Sequence, residues 1–122
     1  VPDPMLIIAG SGMCTGGRIV GHLQELLPVK ETCVLFVGYQ AKGTPGRAIQ
    51  EAARTQSTVR IGREDVVVRA EIKTMSGLSA HADRLELKAW LDAVPNPKRV
   101  ALHHGEAHVQ QEFARWMSQF NE

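Results

Sequence analysis

The feature that most narrows the fold is a pattern that occurs twice in the first half of the chain: a short apolar run, a glycine-rich break, then a helix with one apolar face. Met5-Leu6-Ile7-Ile8-Ala9 is wholly apolar, and Gly10-Ser11-Gly12-Met13-Cys14-Thr15-Gly16-Gly17 interrupts it. Ile19, Leu23, Leu26 and Leu27 then mark one helical face, and Pro28 ends it. Thr32-Cys33-Val34-Leu35-Phe36-Val37-Gly38 repeats the run, and Tyr39 to Arg47 repeats the glycine-rich break. Ile49, Ala52 and Ala53 face inward from the next helix. Unalternated apolar runs are strands covered on both faces, and strands joined through helices pair in parallel. The expected class is therefore α/β, built of mostly parallel β-loop-α units. After Ser57 the pattern changes to a β-hairpin: Val59-Arg60-Ile61, a turn at Gly62-Arg63-Glu64-Asp65, and a strand from Val66 to Lys73. Val66, Val68, Ala70 and Ile72 lie on one face of that strand.

The second half of the chain turns on Gly77-Leu78-Ser79-Ala80-His81-Ala82-Asp83-Arg84. Asp83 and Glu86 have capping-box spacing, Leu87, Trp90, Leu91 and Val94 give a helical face, and Pro95-Asn96-Pro97 ends it. His81 thus precedes a helix N-terminus, where free N–H groups and the positive dipole end favour an anion such as phosphate. Arg99-Val100-Ala101-Leu102 reads as a strand running into His103-His104-Gly105-Glu106. In the last helix Val109, Phe113, Trp116, Met117 and Phe120 keep helical spacing, which makes them core and not a base-stacking platform. The two histidine-bearing loops are expected to form two lips of one site.

Composition excludes several classes. The 122 residues, 43% of them hydrophobic, suit one domain or a part of a larger protein. A net charge of +1 is no footprint of a general nucleic-acid binder, so such a role needs a local site. No run is long enough to span a membrane and no signal peptide stands out, so a cytoplasmic protein is expected. Cys14 and Cys33 lack CxxC spacing and are expected to be reduced thiols. The Val-Pro-Asp-Pro lead is expected of a piece cut from a longer chain, or of a tag scar.

Three features bear on chemistry. The first glycine-rich loop suits a phosphate, although a tight turn without a ligand is the plain alternative. Its Gly10-x-Gly12 then Gly16 spacing is loose for a dinucleotide site. Tyr39-Gln40 stand where a ribose-binding acid belongs, and no Gly-Lys-Ser/Thr closes either loop. Cys14, with His81 or His104 as its base, is a candidate nucleophile; the alternative is a small side chain packed under the loop. Of the five histidines, His22 and His108 are expected at the surface and His103 points away from its neighbour. His81 and His104, each followed by an acid (Asp83 and Glu106), are the stronger candidates. Two imidazoles do not make a closed zinc site, so they are acid-base and anion-binding groups or else further ligands lie elsewhere.

Ser79-Ala80-His81-Ala82-Asp83 followed by His104-Gly105-Glu106 resembles the closing motifs of the β-CASP group of metallo-β-lactamase-fold RNA nucleases. That group includes relatives of the endonuclease subunit of the cleavage and polyadenylation specificity factor. Ser11-Gly12-Met13 with Gly16-Gly17-Arg18, and Gly38-Tyr39-Gln40 with Gly43-Thr44 and Gly46-Arg47, resemble the second half of its inserted β-CASP domain. The resemblance implies residues 1–57 as that second half and 58–122 as the C-terminal segment of the metallo-β-lactamase domain. It implies hydrolysis of single-stranded RNA at a two-zinc centre. His81 matches the histidine that meets the scissile phosphate and protonates the leaving oxygen, and His104 matches a zinc ligand. Ser11, Thr15 and Arg18 are candidate phosphate contacts from their loop chemistry, with Ser79, Asp83 and Glu106 in support. The family's His-x-His-x-Asp-His segment is absent from these residues, and Leu78 and Pro45 stand where phenylalanine and leucine are usual. The resemblance thus implies the C-terminal portion of a longer ribonuclease, partnered by its own N-terminal metallo-β-lactamase domain. The piece alone should be inactive and bind zinc weakly or not at all. A homodimer is also consistent with it. Two other readings stand beside this one: a non-catalytic RNA-binding or scaffold member of the same family, and a small-molecule α/β hydrolase using Cys14.

Overall fold

A computed structural model describes residues 4–120. Its elements are α1 (Arg18–Leu26), β1 (Cys33–Phe36), α2 (Pro45–Ala52), β2 (Thr58–Ile61), β3 (Glu64–Val67), β4 (Glu71–Thr74), α3 (Arg84–Asp92) and α4 (Ala107–Ser118). They fall into two compact units, divided between Ser79 and Ala80.

The first unit is built on two strand pairs. β1 and β4 are parallel, with Cys33 opposite Glu71 and Phe36 opposite Thr74. β2 and β3 are antiparallel, with Thr58 opposite Val67 and Ile61 opposite Glu64, which leaves Gly62-Arg63 as a two-residue turn. Leu23 and Leu27 from the first helical segment, Phe36 of β1, Ile49 of α2 and Val59, Ile61, Val66 and Val68 from the hairpin region form one core. Leu27, Ile49, Ile61 and Val68 are fully buried. The expected α/β class, with a parallel pair and a hairpin, is what these elements form.

The expected single strand from Val66 to Lys73 is in fact two. β3 ends at Val67, the chain bends through Val68-Arg69-Ala70, and β4 joins a different partner. The bend has a clear cause. The Val68 N–H donates to the Ser57 carbonyl at 3.0 Å, and the Arg69 and Ala70 N–H groups both donate to the Leu27 carbonyl at 2.8 and 2.9 Å. That carbonyl lies just past the end of α1, where helical partners run out. Glu71 N–H then donates to the Thr32 carbonyl at 2.9 Å and starts the parallel ladder.

Two expected strands do not form. Met5 to Ala9 is irregular, with Met5, Leu6 and Ile8 exposed by 75%, 85% and 91%. Arg99 to Leu102 is irregular as well. A strand exists only by pairing, and among the described residues neither run has a strand beside it.

The second unit holds α3 and α4. None of its described residues is buried, so the aromatics of α4 are not the core expected of them: Phe113, Trp116 and Met117 are half-buried and Phe120 is 51% exposed. So small a unit cannot enclose large side chains. They stack instead, with Phe113 and Trp116 centroids 5.8 Å apart and Trp116 and Phe120 5.1 Å apart. Arg84 lies 5.1 Å over Trp116 and Lys88 4.7 Å over Phe120, so two cation–π contacts tie α3 to α4.

Leu27→Ala is expected to lower stability by about 2–5 kcal/mol, as truncation of a fully buried leucine does. Leu6→Ala is expected to stay within about 0.5 kcal/mol. Urea unfolding of the two variants checks both values.

Candidate functional site

The two histidine loops are shaped by local chemistry. Asp83 caps α3: its Oδ1 accepts from the N–H groups of Leu85 and Glu86 at 2.8 and 2.9 Å, and the Glu86 carboxylate accepts from the Asp83 N–H at 2.8 Å. The expected capping box is complete, and it fixes where the chain leaves the His81 segment. At the other loop His104 has φ 72° and Gly105 φ 98°, a left-handed pair at the entry to α4. The Gln110 side-chain amide donates to the carbonyls of both residues, at 3.3 and 3.2 Å. His104 therefore sits in a turn held from the first turns of α4, and not at the end of a strand.

Within this unit the two rings meet. His81 and His104 have centroids 5.6 Å apart with planes inclined at 68°. At that spacing one small tetrahedral group can touch both imidazoles. Glu106 is the residue before α4, but its side chain makes no cap; its carboxylate instead lies 3.4 Å from His108 Nδ1. Imidazole nitrogen suits zinc, which takes four ligands in a closed site or three plus an open position. Among the described residues no three His, Cys, Asp or Glu side chains gather in a way that could hold a metal. His104 fits a ligand's role by its chemistry, and a full cage needs further donors.

In the first unit the two glycine-rich loops are clasped together. The Gln40 side-chain amide donates to the Gly12 carbonyl at 2.9 Å and to the Gly38 carbonyl at 3.1 Å, and the Gly46 N–H donates to the Met13 carbonyl at 3.0 Å. Gln40 is 2% exposed and its Oε1 has no hydrogen-bond partner. A β-carbon at position 46 would stand 1.7 Å from that oxygen, so the clasp requires glycine there. In the sequence Gln40 stands where a ribose-binding acid would belong and within the Gly38-Tyr39-Gln40 motif of the β-CASP resemblance, and neither reading indicates its clasp. The missing signal was the pairing of a buried amide with two loop carbonyls.

Thr44 caps α2 by accepting from the Arg47 N–H at 3.4 Å, and Pro45 opens that helix. The first loop closes on itself through Ser11 N–H to the Gly16 carbonyl at 3.2 Å, with the Ser11 and Thr15 hydroxyls 3.1 Å apart. Gly17 enters α1 at φ 82°, with its own Cα so close to the Gly10 carbonyl that a β-carbon would lie 2.8 Å from the oxygen. Ser11, Thr15 and Arg18 are all exposed, on one loop and the first helical position after it. A pocket of about 380 Å³ opens at the C-terminal ends of β1 and β4, lined among others by Tyr39, Gln40, Met75 and Ser79. That is where ligands sit in open α/β sheets.

Cys14, the candidate nucleophile, lies buried. It is 5% exposed, and burial pushes its thiol above the ordinary range, which disfavours the thiolate. It packs under the loop. His22, expected at the surface, is half-buried on α1, while His108 is exposed. No helix among the described residues is long and apolar enough to cross a membrane.

A Beta-Casp domain model matches residues 1–49, and RMMBL, a Zn-dependent metallo-hydrolase RNA specificity domain, matches residues 65–122. The two matches follow one another along the chain, β-CASP first and RMMBL second. A ribonuclease of Thermus thermophilus is 46% identical over 105 residues, 86% of this chain and 23% of that protein. The transcription termination factor FttA of Thermococcus kodakarensis is 43% identical over 109 residues, covering 87% of this chain and 17% of its own length. FttA of Methanocaldococcus jannaschii is 35% identical over 115 residues, 92% of this chain and 18% of its own. The chain belongs to the β-CASP group of metallo-β-lactamase-fold proteins. It spans between about a sixth and a quarter of the length of these relatives.

Two outcomes test the clasp and the buried thiol. Gly46→Ala is expected to destabilise the chain by about 1–3 kcal/mol, because the buried Gln40 amide must leave its carbonyl partners; thermal unfolding reads this. With iodoacetamide at neutral pH, exposed Cys33 is expected to react before Cys14, as peptide mass mapping will show.

Proposed function

We propose that this chain is the C-terminal portion of a longer zinc-dependent ribonuclease that hydrolyses phosphodiesters of single-stranded RNA. The observation that carries the reading is the approach of His81 and His104 to 5.6 Å. In it, His81 contacts the scissile phosphate and gives a proton to the leaving oxygen. His104 is a zinc ligand, with the remaining donors supplied from outside these residues. When bound, zinc supplies Lewis-acid polarisation of the phosphodiester.

The other roles follow from the local structure. Asp83 acts through its cap: it sets the first turn of α3 and so the path of the His81 loop. Gln110 and Gly105 shape the backbone that carries His104. Ser11, Thr15 and Arg18 would contact RNA phosphates beyond the reacting one, and Ser79 and Glu106 support the two histidine loops. Residues 1–57 and 58–122 correspond to the β-CASP and metallo-β-lactamase parts of the longer chain, in the cytoplasm. A cleft that needs donors from elsewhere makes the isolated piece inactive.

A second reading, a non-catalytic RNA-binding member of the group, is favoured by the relatives named as transcription termination factors and not as nucleases. Both readings use the same RNA-facing loops, and they part on metal and cleavage.

In the longer parent, His104→Ala is expected to lower zinc content, measured by elemental analysis. His81→Ala is expected to slow RNA cleavage about 100-fold or more while zinc content stays near that of the unaltered protein. Equal zinc loss in both variants would defeat the division of roles, and a zinc-free, inactive parent would favour the scaffold reading.

A further inference from the structure

We propose that single-stranded RNA also runs along a basic groove between α2 and β4 that is lined by neither His81 nor His104. Its phosphates would lie on Lys30, Arg54 and Arg69, and a base would stack on Tyr39. The proposal rests on the reading that this protein handles RNA, and it assigns a surface that includes neither histidine.

The groove has a volume of about 800 Å³. One wall is the face of α2 and its following turn that carries Arg47, Gln50, Glu51 and Arg54, and the other is Arg69 and the length of β4. Four cations line it, Lys30, Arg47, Arg54 and Arg69, against two carboxylates, Glu51 and Glu71. That surplus of two is larger than the charge of +1 on the whole chain, so the basicity is concentrated here.

The acids are also engaged. Glu51 holds Arg47 at 2.9 Å and Glu71 holds Lys73 at 3.2 Å. The Glu71 hydrogen bond raises the Lys73 ammonium above its ordinary range. Arg54 and Arg69 make no ion pair among the described residues. The bend that makes β4 a separate strand also sets Arg69: its N–H is tied to the Leu27 carbonyl at 2.8 Å, which brings it to the segment carrying Lys30.

The groove continues into the pocket at the strand ends, since Arg47, Gln50 and Thr74 line both, with the Gln50 amide donating to the Thr74 hydroxyl at 2.9 Å along their shared floor. At the far end Tyr39 is 63% exposed. A track of cations ending on an exposed aromatic is what single strands use, phosphates on the charges and bases on the ring. An acidic peptide has no base to stack, and a vesicle surface cannot enter a groove.

The test uses the 122-residue chain and a fluorescein-labelled decamer of uridine, read by anisotropy between about 50 and 200 mM salt. Arg54→Ala with Arg69→Ala is expected to weaken binding and to reduce the slope of log K against log salt by about 1.4, the share of two phosphate contacts on a single strand. Lysine at both positions should restore the slope. Tyr39→Leu should weaken binding about tenfold at unchanged slope. Circular dichroism melting confirms that each variant is folded. If the double alanine variant binds RNA as the unaltered chain does, the groove is overturned while the histidine reading stands, because zinc content and cleavage in the parent judge that separately. Absence of RNA binding by the unaltered chain at about 50 mM salt also overturns the groove. Equal affinity for a duplex of the same length overturns the assignment to single strands.

Discussion

The first unit depends on one carbonyl oxygen. Leu27 has a fully buried side chain, and its carbonyl accepts the N–H groups of both Arg69 and Ala70. A helix end normally leaves its last carbonyls to water or to a cap. Here the acceptor is used to bend a distant segment away from its expected course. Without that turn, Val66 to Lys73 would continue as one hairpin strand, and β1 would have no parallel partner among the described residues. The apolar alternation of that segment is indifferent to the choice, because Val68 and Ala70 are buried in the bend just as they would be in a strand.

Leu27 and Gln40 do related work at opposite ends of β1. Leu27 joins the end of α1 to the entry of β4. Gln40 joins the two glycine-rich loops where β1 ends, by donating to Gly12 and Gly38. Both satisfy backbone groups that have no place in a regular ladder, Leu27 through its carbonyl and Gln40 through its side-chain amide, and an unpaired buried backbone group costs about as much as a lost hydrogen bond. The glycines of these loops therefore serve packing as much as flexibility: position 46 has no room for a side chain, since the Gln40 oxygen already occupies it. The same geometry leaves Ser11, Thr15 and Arg18 on the exposed outside of the first loop.

Much of this was legible in the sequence, and the gaps have physical reasons. Helical faces could be read because burial repeats every three to four residues: Leu23, Leu27 and Ile49 are buried as their spacing required. The α3 cap could be read because Asp83 and Glu86 form a purely local motif. Strands were harder. Met5 to Ala9 and Arg99 to Leu102 have the right residues, yet a strand is a property of two segments, and periodicity describes only one. The division at Val68 was invisible for the same reason, as it is decided by Leu27 some forty residues earlier. The meeting of His81 and His104 was expected as two lips of a site. What no pattern indicated was Gln110, whose amide holds the backbone at His104 and Gly105.

The second unit shows how a site can be kept in place with almost no core. None of its described residues is buried, and yet the two imidazoles are held face to edge. The restraints come in three layers. Asp83 and Glu86 fix the start of α3, Gln110 fixes the turn before α4, and Arg84 and Lys88 lie over Trp116 and Phe120 to set one helix against the other. Arg84 is the residue directly after the Asp83 cap, so the contact that registers the helices begins beside the His81 loop. Cation–π contacts at exposed positions are worth only about 0.5–1 kcal/mol each. Two of them with a capping box orient a pair of loops but do not make a rigid body of them. Each loop thus takes its shape from its own local contacts, the capping box on one side and Gln110 on the other, and not from a shared core.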